Sequence, residues 1–494
     1  MRPFVSDPAR IVAAVVFVAG MAATGGCGQI LGLDQYQVAG EGGGGGAAGN
    51  GGGGGAGGAS CEVKGCGEVV WSKAFGDNSA QEGMAVAADG QGNIWLCGSY
   101  PGDLSLGNSQ VMGGDSFIAK FNPQGDAVWV DTIGGAGNSV HCNGIALDSL
   151  GSVVVIGSFG GALELGGAQH VASGNTDGFV AKLGPDGAHL WSRRTGDVSA
   201  ATPFGVAVDP YDNVVVTGRF ESSIGGVLSA GGDDVFVAKL SKINGNSMWT
   251  RGFGSTGMLN ESGGAIAADS MGNVLVTGKG GGQIDFGGGP LPCGALLSPR
   301  VFMIKLDGSG NHAWSKCYGN QQLDGLSRLA VDAQNNVYLA GDFGGVVNFG
   351  GGDFQSSPGS DGFLAKFGPE GVHLWSKQFG TAPADDGVSA LDVDVAGNVL
   401  VALNFESTID VGDVHATSVG KRDMFLAKLD ASGELLWGRA FGDPAEQHVA
   451  ALVVDPSTEG PIITGAFGGT VDFGDGPHSA DWGGLALFLA KFNK

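Results

Sequence analysis

Two charged residue types recur at fixed places along the 494-residue chain. Asp89, Asp148, Asp209, Asp269, Asp332, Asp394 and Asp455 each follow a short apolar run of the "AVAAD" kind. Lys120, Lys182, Lys239, Lys305, Lys366, Lys428 and Lys491 each sit in a Phe-x-Ala-Lys run. Seven of each would make a charged ring around the channel. A carboxylate before a Gly-Asn turn also accepts backbone N–H bonds, and a lysine can bridge to it or lay its stem on a neighbour. A constellation repeated identically is seldom an asymmetric active site, so the expectation is a fold-defining pair. Other chemistry is sparse. "DVDVAGN" (392–398) holds two carboxylates in the style of a calcium loop. It lacks the third loop carboxylate and the bidentate glutamate of an EF-hand. The expectation is therefore no cofactor, with calcium the one candidate. The eight histidines keep no metal-binding spacing. His189, His312 and His373 stand two residues before a tryptophan and read as exposed strand residues. No Gly-x-Ser-x-Gly, His-Glu-x-x-His or P-loop string is present, which removes the serine-hydrolase, zincin and Walker signatures. Carboxylates abound, but spacing alone cannot pair two across a cleft for glycoside hydrolysis.

The elements that carry these residues repeat with them. Trp71, Trp129, Trp191, Trp249, Trp314, Trp375 and Trp437 stand 58 to 65 residues apart, a period longer than WD40 or kelch units. Each unit holds four segments of four to seven residues, rich in Val, Ile and aromatics and bounded by Gly, Asp, Asn or Pro. That is the strand signature, and no twelve-residue stretch keeps a helical period. Four strands in each of seven units predict an all-β, seven-bladed β-propeller over 69–492. The chain opens with a lone outer strand, "VVWSKAF" (69–75), and stops after a lone third strand, "LFLAKF" (487–492). If the ends meet, 69–75 completes the last blade and removes an open sheet edge.

The order Val-Asp, Gly-Asn-Val-x-Val-x-Gly, Asp-x-Phe-x-Ala-Lys-Leu, Gly-x-x-x-Trp resembles the bacterial seven-bladed propeller repeat of the SBBP type, and more distantly NHL-type blades. Blade six departs with "VALNF" (401–405), blade seven with "PSTEGPI" (456–462); both departures are expected to fall in turns.

Ahead of the repeats, Arg2 and Arg10 precede the apolar stretch "IVAAVVFVAGMAA" (11–23), too short to span a bilayer comfortably and shaped like a secretory signal over 1–26. "TGGC" (24–27) resembles the lipobox of bacterial lipoproteins. That resemblance implies lipid on Cys27, attachment to the bacterial envelope and, with Gly28 in place of aspartate, the outer membrane or cell surface; ordinary signal cleavage is the alternative. Residues 27–68 are glycine-rich and read as a flexible tether. About 30 residues of such coil reach roughly 30 Å. With Cys27 lipidated, six cysteines remain for an oxidising compartment: Cys61–Cys66, Cys97–Cys142 between blades one and two, and Cys293–Cys317 within blade four are the expected pairs.

The formal charge of −24 makes the chain a poor general partner for nucleic acid or anionic membrane. Glycine supplies 97 residues, nearly three times the average share of about 7%, in keeping with many tight turns. The leading functional expectation is a non-catalytic binding module for an envelope protein or a glycan, using loops on one propeller face. A lyase or glycan hydrolase would instead need a polar, asymmetric cluster at the channel mouth, and a structural envelope component would self-associate. Long loops are expected at 278–300 in blade four and between the second and third strands of blades six and seven. Arg300 is the binding-face candidate.

Overall fold

A computed structural model describes residues 66–494 apart from 77–79, 108, 135–138, 167, 198, 258, 294–299, 320–326, 357, 381–383 and 481–483. The signal segment, Cys27, Cys61 and all but the last residues of the tether lie outside the described residues.

Seven four-stranded antiparallel sheets form the blades. Blade one runs outward from the channel through Glu82–Ala88, Ile94–Leu106, Ser109–Phe121 and Ala127–Ile133. Blade seven takes Gln447–Val454, Pro461–Phe467 and Ala486–Phe492 from the C-terminus and Val69–Phe75 from the N-terminus. Trp71 pairs with Lys491 and Phe75 with Leu487, so the expected closure is present. The third-strand phenylalanines Phe117, Phe179, Phe236, Phe302, Phe363, Phe425 and Phe488 are fully buried. Apolar clusters join neighbouring blades: Ile118 and Ala87 of blade one pack with Val155 and Phe179 of blade two.

In six blades the inner strand carries a β-bulge, as between Gly83 and Ala85 or between Pro203 and Gly205. The bulge crowds the second strand, which explains the glycine of Gly-x-Phe. A Cβ on Gly98, Gly157, Gly218, Gly278 or Gly465 would lie about 2 Å from an inner-strand carbonyl oxygen. Blade six puts Leu403 there, within the strand Val399–Phe405. The "VALNF" departure therefore lies in a strand, not a turn, and nothing in the structure explains its tolerance.

The long loops are also corrected. Every blade elaborates the link between its second and third strands. Blades two to seven carry a two-stranded hairpin there, and blade one extends the strands themselves. Blade four's is Gln283–Asp285 with Pro290–Pro292. These hairpins fold over the outer strands: a Cβ at Gly166 would meet His189, at Gly287 His312, and at Gly350 His373. The three histidines are thus half-buried rather than exposed, each with Nε2 3.1 Å from a serine Oγ. Cys97–Cys142 links blades one and two with Cα atoms 6.3 Å apart. Cys293–Cys317 pins blade four's hairpin to its outer strand. Cys66 packs half-buried against the blade-seven core; its expected partner, Cys61, lies outside the described residues.

Candidate functional site

The two faces of the disc differ in kind. On one face the strands turn back in tight hairpins, and there the recurring Asp, Lys and Trp meet. Asp209 shows the arrangement. Its Oδ1 accepts the N–H groups of Tyr211 and Asn213, both at 2.8 Å, and its Oδ2 lies 2.6 Å from Lys239 Nζ. Lys239 also donates to the Gly308 carbonyl of the next blade (3.3 Å), and Trp249 Nε1–H donates to the same oxygen (3.1 Å). Like pairs join Lys182–Asp148, Lys305–Asp269, Lys428–Asp394 and Lys491–Asp455 at 2.5 to 2.9 Å. Hydrogen bonds and the nearby ammonium hold Asp394 and Asp455 below the usual carboxylate range, although burial opposes them.

Two blades deviate, and the second strand explains both. Blade five has Tyr338 where others have Val, Leu or Ile; Lys366 lies over the ring and stretches to 3.6 Å from Asp332. Blade one has Trp95; Lys120 lies over the indole and turns instead to the Pro185 carbonyl at 2.7 Å. The recurring Asp and Lys are thus buried inter-strand and inter-blade ties, as the expectation of a fold-defining pair had it. In the proposed calcium loop, Asp394 is occupied by the N–H groups of Ala396 and Asn398, the Asn398 amide and Lys428.

The opposite, loop face varies from blade to blade. A bulge re-aims the residue it displaces; at six inner strands that residue is Met84, Asn143, Phe204, Gly264, Ser389 or Ala450. Asn143, Phe204 and Ser389 line two polar clefts. One, of about 560 Å³ between blades two and three, is lined by His141, Asn143, Thr202, Phe204, Arg219 and Glu221. The Arg219 guanidinium lies 5.8 Å from the Phe204 ring centroid and 3.0 Å from Asp233. The other, of about 250 Å³ between blades five and six, is lined by Arg328, Asp342, Asp386, Asn404 and Arg422 among others. Arg328 donates to the Ser389 carbonyl (2.5 Å), and burial lowers its pKa against the pull of Asp342. Burial pushes Asp386 up to about 6, although it accepts the Glu406 N–H.

Arg300 does not lie in a loop: it opens the third strand of blade four and pairs with Gly280. Blades two, three, five and six place a buried aspartate at that position, namely Asp177, Asp234, Asp361 and Asp423. It lies in neither cleft.

Between the faces, the inner strands wall a channel cavity of about 260 Å³. Val86, Ile145, Val206, Ile266, Leu329, Leu391 and Leu452 form one aliphatic ring of that wall.

No protein-family model matches the chain. A stretch of 161 residues is 28% identical to an uncharacterized WD repeat-containing protein of Acanthamoeba polyphaga mimivirus, and the match takes 28% of this chain and 11% of that protein. Among solved structures, the quinohemoprotein alcohol dehydrogenase from Comamonas testosteroni matches 86% of this chain and 76% of its own at 10% identity, TM-score 0.40. BamB from Moraxella catarrhalis matches 86% of this chain and 99% of its own at 13% identity, TM-score 0.35. These likenesses are of fold only.

Proposed function

We propose that the chain is an envelope lipoprotein with SBBP-type blades, anchored through Cys27, whose loop face binds a protein or glycan without catalysis. One observation carries this reading. The hairpin face spends its polar groups on blade-to-blade ties, whereas the loop face sets different side chains at the equivalent bulge of six blades. Variation on a rigid frame is what recognition needs. Cys66 and Gly67 enter the fold at the hairpin face, where Asn493 N–H donates to the Glu68 carbonyl, so a tether there leaves the loop face open. A lyase or hydrolase is the second reading, favoured by the arginine-and-carboxylate cleft between blades five and six.

The test is a pull-down of the full chain, in detergent, against cell-wall fragments, polysaccharides and envelope proteins. A saturable partner lost in Phe204→Ala or Asn143→Ala, with the melting temperature kept, is the expected result. Turnover of a polysaccharide overturns it in favour of the enzyme, and self-association with no partner in favour of a structural role.

A further inference from the structure

Where the inner strands wall it, the channel is aliphatic except at one place. Two residues before each recurring aspartate, five inner strands place Ala87, Ala146, Ala207, Ala267 and Ala330, and blade seven places Val453. Blade six places Asp392, and all these residues line the same cavity. Asp392 Oδ1 accepts the N–H of Val393 and Oδ2 that of Val454 across the blade junction, both at 2.8 Å. A carboxylate offers about four acceptor directions, so two bonds leave the rest toward the cavity. The other carboxylates on the wall are committed: Asp394 to Lys428, and Glu459 to Lys494. Among the described residues no cationic side chain forms an ion pair with Asp392.

We propose that the channel is a binding site for a small organic cation with an apolar body, of the alkylammonium class, its chain along the aliphatic wall and its charge against Asp392. Asp392 is half-buried, so its charge is partly withdrawn from water with no counter-charge, which is costly. The aliphatic wall surrounds this group at a fixed depth. The cavity reaches Val395, Pro456 and Glu459 of the hairpins, which gives the entry from the hairpin face. An anionic amphiphile is disfavoured by the same carboxylate, and a neutral alcohol of equal length gains the wall but not the charge.

The experiment is isothermal titration of the full chain at neutral pH with hexylammonium, hexan-1-ol and hexanoate. Hexylammonium is expected to bind saturably, at least tenfold more tightly than hexan-1-ol, with no binding of hexanoate. Shortening the chain should weaken binding by about three- to fourfold per methylene. Asp392→Asn keeps an acceptor for Val454 N–H and should erase the preference for the cation while leaving the melting temperature nearly unchanged. No saturable binding, equal binding of the alcohol, or unchanged binding in Asp392→Asn overturns the proposal. If Asp392→Asn fails to fold, the order of the three probes on the native chain decides alone.

Discussion

The indole of Trp437 rests on Gly67, so closely that a Cβ there would lie 2.8 Å from two of its ring carbons. Six other tryptophans rest likewise on a glycine of the next blade: Trp71 on Gly125, Trp129 on Gly187, Trp191 on Gly245, Trp249 on Gly310, Trp314 on Gly371 and Trp375 on Gly433. Those six glycines turn the hairpin before the outer strand. Gly67 belongs to no such hairpin, because blade seven's third and outer strands come from opposite ends of the chain, yet it restores the same contact. All seven have positive φ, 62° at Gly67 and 79° at Gly125. Each is thus held to glycine twice, by backbone and by ring. Gly67→Ala is expected to destabilise the ring by about 1–3 kcal/mol, and Gly125→Ala by a similar amount, as read from urea unfolding.

Among the described residues, the same junction differs from the others in one bond. Trp71, Trp191, Trp249, Trp314 and Trp375 each donate Nε1–H to a hairpin carbonyl of the next blade, at 3.0 to 3.1 Å. Among the described residues Trp437 Nε1 has no hydrogen-bond partner. Trp249→Phe should therefore cost about 1 kcal/mol more than Trp437→Phe, the worth of one hydrogen bond. Equal losses in thermal melts would show that the indole N–H does not contribute.

Lys239 and Asp209 are both buried and bonded to each other. Removing one partner strands the other, so Lys239→Met should destabilise by about 3–5 kcal/mol. Lys120→Met should cost less, because that ammonium faces a carbonyl and an indole rather than a carboxylate. Calorimetry of the two variants measures the difference.

Glu261 is a buried carboxyl at the start of blade four, and burial raises its pKa to about 7 despite the Ser255 hydroxyl bonded to it. A carboxyl with a raised folded pKa keeps its proton in the folded chain. The stability it lends is full below about 4.5 and is lost as pH climbs through about 7. Asp386 and Asp392, each raised to about 6, act in the same direction. The lowered Asp394 and Asp455 act in the opposite one, losing their contribution as pH falls below the usual carboxylate range. The chain should be most stable at about pH 4. Glu261→Gln should raise the melting temperature at pH 8 and leave it almost unchanged at pH 4.5.

Legibility followed repetition. Asp209, Lys239 and Trp249 recur in phase because seven equal blades impose seven equal demands, so their role and the ring closure could be read directly. The bulge residues could not: position 204 is Phe where 84 is Met and 264 is Gly, and a site that varies in type leaves no pattern. The glycines of Gly-x-Phe did mark the bulges, through the carbonyl each must admit, but that meaning requires the paired strand. Arg300 drew notice for its place in an apparently long loop, which is instead a hairpin of the kind found in blades two to seven, followed by the strand that Arg300 opens. Asp392 was visible but grouped with Asp394, which lies just past the strand Gly387–Val393 and is taken up by its own turn and by Lys428.

The closing strand also decides how the disc carries load. Val69–Phe75 enters from the hairpin face and lies along Ala486–Phe492, with its hydrogen bonds perpendicular to its length. A pull on residue 66, against a partner held on the loop face, runs along that strand. The ladder is then sheared as a whole, its bonds sharing the tension, instead of opening one at a time from an end.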